Sequence, residues 1–71
     1  MNKNQFRISN EDHKNLLNHH LSFVKEHLQK KYPDLQLIVL NKDKPIFTNY
    51  FPRRCQIICD EWMKVIDIIQ N

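Results

Sequence analysis

The chain contains no glycine. That absence removes the glycine-rich phosphate loop and the dinucleotide fingerprint, because both need backbone that approaches a phosphate with no Cβ in the way. Cysteine is nearly absent too, with only Cys55 and Cys59. Four residues apart in a predicted strand, they stand roughly 13 Å from each other, beyond disulfide reach. Alternation puts both on one face with Ile57, so they read as core thiols, and a small domain without a disulfide suits a reducing compartment. No apolar run approaches the roughly 18 residues of a membrane span. The opening residues, MNKNQFRISNEDH, lack the apolar stretch of a secretory signal. The expectation is a cytoplasmic protein, with a secreted mature form as the alternative.

Neither charge dominates, with 11 Lys and Arg against 8 Asp and Glu. The net charge is +3, and Lys25, Lys30, Lys31, Arg53 and Arg54 are spread over helix and loop. They read as a solvated surface, and no nucleic-acid partner is expected. His13, His20 and His27 recur every seven residues. Seven residues of helix rise about 10.5 Å, so neighbours in that stripe cannot share one ion, and His19 points away from His20. Neither a metal nor a cofactor is expected.

Seventy-one residues make one small domain. A chain of that size builds one helix on one sheet and has little room for a catalytic cleft. Ser9 and Ser22 sit in a predicted cap and helix, and Asp60 and Glu61 read as solvated turn carboxylates. The expectation is therefore not an enzyme.

The organisation follows from the pattern. Residues 1–9 read as a flexible N-terminal segment and 10–71 as the folded domain. Ser9 and Asp12 form a variant capping box for a helix from about Asn10. Leu16, Leu17, Leu21, Val24 and Leu28 then mark one helical face, with Phe23 beside it. Lys30 and Lys31 suit the helix C-terminus, and Pro33 ends it. The helix is either continuous over 10–31 or broken near Asn18. Three strands follow: Leu35–Leu40, Arg54–Asp60 and, after a turn over Glu61–Met63, Lys64–Ile69. The fold class is α+β, a helix packed on a small sheet.

Between the first two strands lies KPIFTNYFPRRCQ, residues 44–56. A loop running from about Asn41 to Arg53 is long for so small a domain, and such loops are usually functional. This one carries Ile46, Phe47, Tyr50 and Phe51, which a plain connector has no reason to expose.

From about Leu16 to Ile69 the chain resembles the potato inhibitor I family of serine protease inhibitors. The residues that carry the resemblance are Lys31-Tyr32-Pro33-Asp34 at the helix end, Ile38-Val39-Leu40 closing the first strand, and RCQIICD at 54–60. No gap is needed between Pro33 and Asp60. The resemblance implies a mixed sheet whose first two strands are parallel and joined by the long loop. It implies inhibition by substrate-like insertion of residues 44–53 into the active site of a subtilisin-, chymotrypsin- or elastase-like protease.

By position, Thr48 would fill the primary specificity pocket, with Thr48–Asn49 as the reactive bond. Pro45, Ile46 and Phe47 would lie on the acyl side, and Tyr50 and Phe51 on the leaving side. Arg54 matches one arginine that braces the loop. Gln56 stands where the family carries a second and Asn49 where it carries an acid, so the charge-assisted bracing is reduced, and Phe47 stands where it carries a threonine, which removes a hydroxyl partner. Thr48, small and β-branched, suits a shallow elastase-like pocket. The other reading is a non-inhibitory subunit of a protein assembly that reuses the fold.

Overall fold

The computed structural model describes residues 8–49 and 51–70. Helix α1 spans Asn10–Leu16 and α2 spans Leu21–Lys31, so the helical stripe is two helices and the break falls near Asn18. Asn18 sits at φ 72°, a left-handed conformation that asparagine tolerates better than most side chains. Ser9 caps α1, its hydroxyl accepting from the Asp12 N–H at 3.1 Å. Only half of the capping box forms. The Asp12 carboxylate instead accepts from Lys31 Nζ at 2.7 Å and from the Tyr32 hydroxyl at 2.8 Å, stitching the start of α1 to the end of α2. His20 caps α2, with Nδ1 accepting from the Ser22 N–H at 3.1 Å.

Strands β1 (Gln36–Asn41), β2 (Arg54–Cys59) and β3 (Val65–Ile69) form one sheet in the order β1-β2-β3. The β1–β2 pair is parallel and the β2–β3 pair antiparallel, with a bulge between Ile58 and Cys59. The fold is α+β with a mixed sheet. Each strand matches its expected run to within one residue at either end. Asp60 shortens β2 and β3 because its Oδ1 turns back to accept from the Trp62 and Lys64 N–H groups, both at 2.9 Å.

One core holds the molecule. Leu16, Leu21, Val24 and Leu28 from the helices pack with Cys55, Ile57, Cys59, Val65 and Ile68 from the sheet. Val24, Ile57 and Val65 are wholly buried together, and Ile8 joins the same cluster. Both cysteines are free and buried. Phe23, off the stripe, is half exposed and stacks between His19 and His27.

Candidate functional site

Parallel neighbours cannot be joined by a tight turn, so the chain must travel back along the sheet between β1 and β2. It does so through residues 42–53, whose described members are all exposed. The departure is firm: Lys42 N–H donates to Cys59 O at 2.8 Å, and Asn41 gathers the Asp43 and Lys44 N–H groups at 3.0 and 2.9 Å. The return is firm as well, with Gln36 N–H donating to Arg53 O at 2.7 Å and Arg54 N–H to Phe51 O at 3.3 Å. Residues 45–48 follow neither a helix nor a turn, and none has positive φ.

What holds the middle comes from β2. All six residues of this strand are buried, so its two faces serve two partners. Cys55, Ile57 and Cys59 enter the core with the helices. Alternation sends Arg54, Gln56 and Ile58 to the other face, where the loop lies. Gln56, fully buried, accepts from the Phe47 N–H at 2.8 Å and donates Nε2–H to the Phe47 carbonyl at 3.0 Å. An amide that both donates and accepts thus pairs with one residue's backbone as a neighbouring strand would. Arg54, only 6% exposed, donates from Nη2 to the Asn49 carbonyl. Its guanidinium also lies 5.0 Å from the centre of the Phe47 ring and 5.4 Å from that of Phe51. Cation–π contact of this kind is strongest where water is excluded, which helps offset the burial of the charge.

The predicted site residues therefore fall into two layers. Pro45, Ile46, Phe47, Thr48, Asn49 and Phe51 line the exposed loop, with Ile46 39%, Phe47 46% and Phe51 47% exposed. Tyr50 lies outside the described residues. Arg54 and Gln56 lie beneath. Asn49 is held through its main-chain carbonyl, and the Thr48 side chain makes no hydrogen bond among the described residues. Two features escape a reading by position alone. Gln56 grips backbone, a capacity visible in its mixed donor and acceptor chemistry. Phe47 and Phe51 flank Arg54, for which the only sequence signal is aromatics and arginine at the same loop.

The fold, as distinct from the site, has a parallel among solved structures. The fold is similar to that of an elastase inhibitor. The structure of the elastase inhibitor AFUEI matches 83% of this chain and 82% of its own length, with a TM-score of 0.60 and 20% sequence identity. No protein-family model matches the sequence, and no curated protein is similar to it in sequence. At that identity the likeness to AFUEI establishes the fold, with both chains matched over most of their lengths.

Elsewhere the titratable groups serve the scaffold. His13 Nε2 is 3.0 Å from the Ile68 carbonyl, and His27 Nε2 is 3.7 Å from Asp12. Hydrogen bonds from Lys31 and Tyr32 hold the Asp12 carboxyl below its ordinary value. Burial pushes the Cys55 thiol up to about 11, and burial with the nearby Asp60 charge raises Cys59. Neither is a ready nucleophile, since the thiolate is the reactive form.

Proposed function

We propose that this chain is a serine protease inhibitor of the potato inhibitor I type, with loop 44–53 entering the protease cleft and Thr48–Asn49 as the reactive bond. One observation carries the reading. The two groups that grip the loop lie on either side of that bond: Gln56 holds Phe47, and Arg54 holds Asn49. Both grips rise from one buried strand. A loop held before binding loses little entropy on binding. After cleavage, the two ends remain tethered two positions apart on β2, so the new termini stay close enough to rejoin.

The same grip orients the main chain. In an extended segment, N–H and C=O of one residue point to one side and those of its neighbours to the other. Phe47 spends both groups on Gln56. Ile46 and Thr48 then present theirs outward, where an enzyme's edge strand can pair with them. The Thr48 carbonyl would meet the oxyanion donors, and its small side chain fits a shallow pocket best. The likeness of fold to an elastase inhibitor supports the same choice of partner.

The test is incubation of the protein with elastase-, subtilisin- and chymotrypsin-type enzymes, following residual activity and the integrity of the Thr48–Asn49 bond by mass spectrometry. The expected result is stoichiometric inhibition, strongest on the elastase type, with the bond largely intact. Thr48→Leu should move the preference toward enzymes with deep apolar pockets. Rapid cleavage without inhibition of any of the three overturns the proposal and leaves the non-inhibitory subunit as the reading.

A further inference from the structure

Arg54 is the only buried charge among the described residues, at 6% exposed. It forms no ion pair among them. A guanidinium carries five N–H donors in a planar fork. One of them, on Nη2, goes to the Asn49 carbonyl. Nε is enclosed and meets no acceptor, and Nη1 makes no bond either, although it is not enclosed. The charge itself is met only by the Phe47 and Phe51 rings, whose centres lie 5.0 and 5.4 Å away.

Burying a charge costs stability unless the charge is paired and its donors are spent. Two aromatic rings recover part of that cost. The surrounding chain adds positive charge. From 42 to 54 it carries Lys42, Lys44, Arg53 and Arg54 against one acid, Asp43. Asp43 stands at the departure of the loop, its N–H turned back to Asn41, far in sequence from Arg54. The underside of the loop therefore holds a desolvated cation with donors to spare and no acid of its own.

We propose that Arg54 is an anion site beneath the loop, taking a small oxyanion from solution, such as phosphate or a free carboxylate, on the Nη1 side of its fork. Charge and shape together select this class. The fork matches two oxygens of one phosphate or carboxylate, and such charge-assisted bonds are roughly twice as strong as neutral ones. Chloride offers the charge without the paired oxygens. The oxyanion supplies the negative charge that Arg54 lacks while Nη2 keeps its hold on Asn49. An open loop exposes the guanidinium to water, where its pull on an ion is weak. Binding thus favours the closed loop, and the ion acts as a regulator of loop stiffness. The site depends on how the loop is fastened and not on what the loop enters, so it stands apart from the protease reading.

The experiment is amide exchange of the whole protein in rising inorganic phosphate, with sodium chloride at matched ionic strength as the control. The Arg54 Nε–H is followed by NMR in the same titration. Phosphate is expected to slow the Phe47 amide, which Gln56 holds at 2.8 Å, along a saturating curve. With a Kd of about 10 mM, phosphate at about 100 mM slows that exchange about tenfold. The Nε–H resonance should shift along the same curve, and acetate should act in the same direction. Arg54→Met should lose the response. Arg54→Lys, which keeps a charge but not the fork, should lose most of it. No slowing in phosphate, an equal response in chloride, a response that never saturates, or one that survives Arg54→Met overturns the proposal. Protease inhibition enters none of these measurements, so failure here leaves the protease reading untouched.

Discussion

Replacing Gln56 with leucine nearly preserves side-chain volume and removes both bonds to Phe47, at 2.8 and 3.0 Å. A neutral hydrogen bond contributes a net of about 1 kcal/mol, so the pair holds the loop by about 2 kcal/mol. The leucine itself sits well. Gln56 lies in register with Ile38 and Ile69, and an apolar side chain there gains contacts that the amide lacked. The loss therefore falls on loop opening more than on global unfolding.

Native-state amide exchange reads the two separately. The Phe47 amide should exchange about 30-fold faster, the factor that corresponds to about 2 kcal/mol. The Ile57 and Val65 amides should change far less, and Tm should fall by less than about 8 °C. In the protease assay, the variant's loop should be cut faster than wild type. If Phe47 exchange is unchanged, or all amides accelerate together, Gln56 is not a separate fastening for the loop and the reasoning fails.

Three further outcomes are expected. Arg54→Met keeps the apolar stem but loses the bond to the Asn49 carbonyl and the contact with both rings, so limited proteolysis within the loop should accelerate about tenfold or more. Relief of the buried charge should keep Tm close to wild type. For Asp12, the lowered carboxyl value means that its stabilisation is complete above the ordinary 3.8 and is lost as pH falls through the lower folded value. A plot of Tm against pH should steepen in that acid range, and Asp12→Asn should flatten it. The partner group behaves oppositely: Lys31 is raised above 10.5, so its contribution persists below that pH and disappears above the folded value. Finally, Cys55, at about 11, and the buried Cys59 should resist a thiol reagent at pH 8 and both react in denaturant, by absorbance titration.

Much of the scaffold is legible from local pattern. The runs around 35–40 and 54–60 read as strands because they are short, apolar and β-branched, and the loop stands out because connectors seldom carry Ile46 and Phe47 exposed. The helix break is harder. Asn18 permits positive φ without demanding it, and the linker's pairing with Val65 is a long-range contact that no local signal reports. His20 as a cap is hidden for a related reason, since serine, threonine, aspartate and asparagine are the usual caps. The grip of Gln56 is hidden more deeply. Comparison by position presents it as the loss of an arginine, whereas its function depends on where the Phe47 backbone comes to lie.

Strand β2 divides its side chains by parity, with Cys55, Ile57 and Cys59 given to the helices and Arg54, Gln56 and Ile58 turned toward the loop face. Such a strand has two independent vocabularies written in alternate letters. Substitutions at one set can retune how stiffly the loop is presented while the hydrophobic contacts of the other set stay as they are. The division has a hazard of its own. A slip of one residue during folding would carry the guanidinium and amide into the hydrocarbon and turn the thiols toward the loop, so the same alternation that makes the strand versatile forbids it any second register.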